Sequence, residues 1–222
     1  MQRFFLSFRI STHFGQIIPT DTLNKIKEFY KDLKLKRTFN AYSLNQICNI
    51  DEASIFLNMV PKKTIHFKGK KTITIKNTNQ ENIRVSLLLI ITAEGGKLPP
   101  LFIFKSKKGG TLEKYLNKYK EAINHNAFIL CNENAWCTFD VMKNGYLKYD
   151  YLTLKVFLNG KGLIKLYMCT SHLKDEFLKL LLDNNQNYCL IPGGLTHVLQ
   201  PLDVSINNLL KQRIHKFIVI FV

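Results

Sequence analysis

Acidic residues are scarce in this sequence. Asp and Glu number 16 against 32 Lys and Arg, leaving a net charge of +16. Such an excess favours a polyanionic partner, most simply nucleic acid. Most of it is lysine, and Asn and Ile are also abundant, as an A/T-rich coding bias alone would produce. The charge therefore speaks to association, not to fold. Cysteine is sparse and unpatterned. Cys48, Cys131, Cys137, Cys169 and Cys189 form no C-x-x-C pair, and no two histidines stand at zinc-ligand spacing. An odd count without a framework fits reduced thiols in the cytosol or nucleus, each a small buried hydrophobe. No apolar run approaches the roughly 18 residues of a membrane span. The opening "MQRFFLSFRISTHFG" is interrupted by Arg9 and lacks a small-residue cleavage site, so it does not read as a signal peptide. Internal repeats and low-complexity linkers are also lacking.

What is present is a folding composition. Hydrophobic residues make up 46% and aromatics 12% of 222 residues, enough for one medium domain with a real core and a small appendage. "IIPTDTLNKIKEFYKDLK" predicts a helix capped by Thr20 or Asp21, with Leu23, Ile26, Phe29, Tyr30 and Leu33 as its apolar stripe. "LNQICNIDEASIFLNMV" predicts a first strand that carries Asp51 and Glu52 inside it. "TITIK" and "IRVSLLLIITA" predict two more strands. Glu94-Gly95-Gly96 predicts a turn, and "LPPLFIFKS" the returning strand. "TLEKYLNKYKEA" and "YDYLTLKVFLN" look helical, with "NAFILCN" a strand between them. "GLIKLYMCTSHLKDEFLKLLL" reads as strand, turn and helix. "QNYCLIPGG" is a final strand and "LDVSINNLLKQRIHKFI" a final helix. A strand meander followed by alternating β and α units points to an α/β fold, a mixed sheet flanked by helices. The order is that of a ribonuclease-H-like fold with a short N-terminal helical linker, although periodicity alone leaves other α/β folds open.

Two acids stand out. A carboxylate inside an apolar strand costs several kcal/mol unless a cation or hydrogen bonds compensate it. Asp51 is therefore either a ligand or a solvent-facing residue on an edge strand. Asp203 follows Gln200-Pro201-Leu202 at the start of a helix, where a lone Asp is ordinarily a cap. The longer run "IPGGLTHVLQPLDVSINN" resembles the pogo, Tigger and jerky group of DDE transposases, to which centromere protein B is similar. "NIDEASIFLNMV", "GGKLPPLFIFKSK" and "AWCTFDVM", with Trp136, resemble further stretches of that family. The resemblance covers nearly the whole chain. It implies that residues 1–40 are a remnant of a helix-turn-helix region with its linker, and that 41–222 are a DDE endonuclease domain truncated at its C-terminal "FIVIFV" end. It implies metal-dependent cleavage and joining of DNA strands, a nuclear location, and Mg²⁺ or Mn²⁺ as cofactor. Asp51 and Asp203 are then the first and third catalytic acids and metal ligands. Two Mg²⁺ ions about 4 Å apart need hard oxygen ligands from distant parts of the chain.

The middle acid is where this sequence departs from the family. The family's "L-x-x-D-N-x-x-x-H" run matches "LIKLYMCTSH" here, so Tyr167 and Met168 stand where Asp and Asn are usual. A phenol with a pKa near 10 does not replace a carboxylate on Mg²⁺ at neutral pH. Asp175 lies eight residues later, into the following helix. His172 either supports the site or is structural. The expectation is an enzyme-like domain that is inactive or strongly impaired; the alternative is a non-catalytic module derived from a transposase that binds DNA or a partner. Lys105, Lys107 and Lys108, and on the last helix Arg213, His215 and Lys216, are candidates for phosphate contacts, although each alone could be an ordinary solvated side chain. DNA is the expected partner. Self-association is allowed for, and neither a membrane nor a small-molecule substrate is expected.

Overall fold

A computed structural model describes residues 5–10, 21–56, 63–71, 84–118, 127–148, 160–167 and 175–221. In chain order these form β1 (Leu6–Ile10), α1 (Thr22–Asn40), β2 (Ile47–Phe56), β3 (Lys63–Phe67), β4 (Arg84–Thr92), β5 (Leu101–Lys105), α2 (Thr111–Lys118) and β6 (Phe128–Asn132). Then come α3 (Phe139–Lys148), β7 (Gly162–Tyr167), α4 (Asp175–Asp183), β8 (Gln186–Ile191), α5 (Thr196–Leu199), a π-type stretch (Leu202–Ile206) and α6 (Asn207–Phe221). The expected strand "TITIK" and helix "YDYLTLKVFLN" lie outside the described residues, as do Met168, Cys169 and His172.

The long apolar runs became the sheet. Its six strands lie in the order β6-β5-β4-β2-β7-β8. β2 pairs antiparallel with β4 and β4 antiparallel with β5, while β5–β6, β2–β7 and β7–β8 are parallel. β2 is thus central, and the carboxyl ends of β2, β5, β6, β7 and β8 share one end of the sheet. Thr92 to Gly95 closes the β4 turn through Gly95 N–H donating to the Thr92 carbonyl at 3.0 Å, with Gly95 at φ 98°. Only glycine adopts that conformation without strain.

Helices cover both faces, as the α/β reading requires. On one face Cys48, Ile50, Ile164 and Leu166 pack against Phe177 and Leu181 of α4 and Val141 and Met142 of α3. On the other, Ile47, Leu163, Cys189 and Ile191 pack against Phe29 of α1, Leu199 of α5 and Leu195 just before it. Each fully buried aliphatic side chain of these clusters stabilises the fold by roughly 1.5–3 kcal/mol. The stripe on α1 is narrower than its sequence pattern suggests. Phe29 is buried with Ile26 and Leu33 beside it, but Leu23 and Tyr30 are exposed. Asp21 stands at the N-cap of α1, yet its carboxylate accepts from the Asn24 side chain at 2.6 Å and not from a backbone amide.

Two strands lie apart from the main sheet. β1 and β3 pair antiparallel from Leu6–Phe67 to Ile10–Lys63. None of the four described cysteines is in a disulfide. Among the described residues no helix is long and apolar enough to cross a membrane.

Candidate active site

Asp51 and Asp203, 152 positions apart in the chain, meet on one face of the sheet. Asp51 sits in the middle strand and is 7% exposed, so the edge-strand alternative does not apply. Alternation along β2 puts Asn49 and Asp51 on the face opposite Ile50 and Glu52. The segment after α5 folds over that face, and amides hold it there. Gln200 Nε2 donates to the Ile50 carbonyl at 3.1 Å, and Asn49 Nδ2 donates to Gln200 Oε1 at 3.0 Å and to the Lys165 carbonyl at 3.2 Å. The Leu202 N–H donates to Asn49 Oδ1 at 3.3 Å. Pro201 follows Gln200 and supplies no N–H, so it opens the helical turn at no cost in hydrogen bonds.

Asp203 then projects from the π-type stretch, exposed at its rim. It does not cap the helix: Pro201 holds the N-cap position, and no side-chain cap bond is made there. Its partner is Asn207, four residues on. Asn207 Nδ2 donates to Asp51 Oδ2 at 2.7 Å and to Asp203 Oδ1 at 2.9 Å. One amide thus bridges the two acids. Burial, and after it the nearby Asp203 carboxylate, push the Asp51 carboxyl up to about 6 against the hydrogen bonds from Asn207 and Gln200. Two carboxylates sharing a site resist ionising together, and this is the expected direction.

Tyr167 is the last residue of β7 and half-buried. Ile50 pairs with Leu166 in parallel register, so Tyr167 comes next to Asp51 on the following step and on the same face. The strand position expected for the middle acid is therefore at the site, and it carries a phenol. Asp175 opens α4 and is exposed. Among the described residues no group of three His, Cys, Asp or Glu side chains could hold a metal ion.

The neighbouring acid does different work. Glu52 points to the opposite face, where its Oε1 accepts from Arg84 Nη2 and from Ser86 Oγ, each at 2.7 Å. The Arg84 guanidinium lies over the Trp136 ring at 4.3 Å, and Trp136 is 57% exposed.

The basic candidates divide. Lys105 ends β5 and is exposed, with Lys107 and Lys108 in the turn beyond it, at the same carboxyl end of the sheet as Tyr167. Arg213 lies ten residues past Asp203, about 15 Å along the helix. It lines an apolar groove of about 460 Å³ with Leu89, Leu98, Pro100 and Ile206. Pro100 precedes β5 and Lys105 ends it, so the two basic groups sit at opposite ends of that strand. Lys216 is exposed one turn beyond Arg213. The side chain of His215 is outside the description.

Sequence reasoning missed Asn49, Gln200 and Asn207. Two of them carried a usable signal. Asn49 is two residues from Asp51 in an apolar strand, and Asn207 is four from Asp203, on the same helix face.

The family model described as DDE superfamily endonuclease matches residues 82–219. The chain belongs to the DDE superfamily endonucleases. Within them it is a pogo/Tigger-like DDE transposase domain. It is 27% identical over 208 residues to the human and mouse proteins named "Pogo transposable element with KRAB domain", covering 93% of this chain and 32% of each of them. The chain thus spans about a third of the length of these curated relatives. Its fold is that of the Mos1 transposase catalytic region. A Mos1 paired-end complex with the left transposon end gives a TM-score of 0.56 at 12% identity, over 93% of this chain and 52% of that one. A Mos1 mariner paired-end complex with Mn gives 0.56 at 11%, over 92% and 53%. The mixed six-stranded sheet is therefore the ribonuclease-H-like one.

Proposed function

We propose that this DDE domain binds DNA at the carboxyl end of its sheet and is strongly impaired in metal-dependent strand cleavage and joining. The observation that carries this reading is the register: Tyr167 stands abreast of Asp51, while Asp203 is drawn to Asp51 from the other side. The donor set fits one divalent ion and lacks the third carboxylate that a pair of ions needs. Asp51 and Asp203 would hold that ion, Mg²⁺ or Mn²⁺. When bound, such an ion lowers the pKa of an attacking water or hydroxyl and stabilises the leaving oxygen of a phosphodiester. What the chain supplies is position. β2 and the Gln200–Asn49 latch fix Asp51 and Asp203, and Lys105, Lys107 and Lys108 offer phosphate contacts at the same end. Arg213 and Lys216 would contact a separate stretch of DNA. Residues 1–40 are read as the tail of a DNA-recognition region with its linker and 41–222 as the endonuclease domain. A nuclear location follows from a DNA substrate.

Substitution Tyr167→Asp tests this directly. Outer-shell partners of metal ligands are worth about 10–100-fold. Restoring a direct ligand should raise Mn²⁺-dependent nicking of duplex DNA by about a hundredfold or more. Equal cleavage by the unaltered and Tyr167→Asp chains would sink the claim of impairment.

The exposed basic turn beside the site supports a second reading, a DNA-binding module without chemistry. It requires affinity that falls steeply with salt and is indifferent to chelator. Binding insensitive to salt removes it.

A further inference from the structure

The bridging amide leaves one atom without work. Asn207 is 3% exposed, and its Oδ1 is buried with no hydrogen-bond partner among the described residues. A buried, unpaired carbonyl costs about 1–3 kcal/mol, so its retention beside two carboxylates calls for a ligand. The distances suggest which. Nδ2 lies 2.7 and 2.9 Å from one oxygen of each acid. Neighbouring oxygens around an octahedral Mg²⁺ at about 2.1 Å stand about 3 Å apart. A half-turn of the amide exchanges its nitrogen and oxygen in place. The three atoms then become three oxygens, the amide oxygen standing at octahedral spacing from one oxygen of each acid. Amide carbonyls are hard donors suited to Mg²⁺, Mn²⁺ and Ca²⁺.

We propose that Asn207 completes a single divalent-cation site with Asp51 and Asp203. Its Nδ2 holds the two acids together without metal, and its Oδ1 turns onto the ion when one enters. The inference rests on the reading of Asp51 and Asp203 as metal ligands. It deepens that reading by naming the donor that stands in where Tyr167 cannot. The site is neutral when filled, because two carboxylates balance one divalent ion.

The test is Mn²⁺ binding to the purified full chain, followed by the electron paramagnetic resonance of free Mn²⁺ and by melting with and without Mn²⁺. The unaltered chain should bind one Mn²⁺. Asn207→Ala should weaken binding at least tenfold, in line with losses at metal sites of roughly 10–100-fold. Should Asn207→Ala not fold, Asn207→Asp is the near-isosteric alternative. It should bind Mn²⁺ at least tenfold more tightly, melt below the unaltered chain in chelator and recover when Mn²⁺ is added. Binding by Asn207→Ala equal to that of the unaltered chain overturns the proposal, as does Asn207→Asp with no gain. If only Tyr167→Asp binds Mn²⁺, Asn207 is no ligand and the reading of the two acids stands. If no variant binds, Tyr167→Asp included, that reading falls and the proposal with it.

Discussion

Asp51 and Glu52 are consecutive residues of one strand, and their surroundings are opposites. Glu52 faces Arg84 and Ser86, which satisfy it with a full positive charge and a hydroxyl. Asp51 faces another carboxylate, and among the described residues it is neutral amides that donate to the pair. The first arrangement is self-contained and needs nothing from outside. The second is short of positive charge, in a protein that carries a large excess of it elsewhere. On one side of the strand an arginine meets the acid; on the other, the basic residue of the same face, Lys165, stands level with Asn49, two positions short of Asp51. The side lacking its own counter-charge is the one to watch.

The largest effect that would break this contrast is its pH dependence. In chelator, the folded-state pKa of Asp51 is raised to about 6 from 3.8. The sign follows from linkage: stability from the protonated acid is present below about pH 4 and lost as pH rises through about 6. At roughly 1.4 kcal/mol per unit the loss is on the order of 3 kcal/mol. Asp51→Asn should therefore gain on the unaltered chain by about that amount between pH 4 and 7.5, in denaturant unfolding with chelator present. A constant difference across that range would mean that Asp51 is no more burdened than Glu52. Next, Glu52→Gln at neutral pH should destabilise by about 2 kcal/mol, because it strands the half-buried Arg84 charge. Opposite signs for neighbouring acids are the core of the comparison, and equal signs would end it. The smallest effect belongs to Trp136→Ala. An exposed cation–π contact contributes about 0.5–1 kcal/mol, and that loss should vanish in the Glu52→Gln, Arg84→Met background, where the guanidinium is gone.

How much of this was legible beforehand depended on the range of the interaction. β2, β4, β5, β7 and β8 announce themselves as apolar runs, because a strand buried on both faces needs little else. β1 and β3 do not. "FLSFRIS" reads as linker, and its strand character rests on pairing with Lys63–Phe67, 53 to 61 residues away. Leu23 and Tyr30 mislead for a related reason: α1 meets the sheet along a narrower line than the apolar pattern offers. Asp51, Asp203 and Tyr167 were located through motif resemblance, and the register agrees with their proximity. The amides were legible only by their spacing from the two acids. Asn is common throughout this chain, so Asn49 and Asn207 carry no compositional contrast. Their value lies in what they touch across more than 110 residues. Asp203 was open to a reading as a cap, because local sequence cannot tell that Pro201 already occupies the start of the turn.

The Gln200 latch to Asn49 spans 151 positions, and the Asn207 bond to Asp51 spans 156. Contacts so distant in sequence form late, since the chain between must be ordered before closure is rewarded. Synthesis proceeds from the N-terminus. The strand bearing Asp51 is complete long before the helix bearing Asp203 is made. A growing chain therefore carries Asp51 for 156 further positions before its bond to Asn207 can form. Whatever the pair can do becomes available only once both segments have been made and have closed on each other.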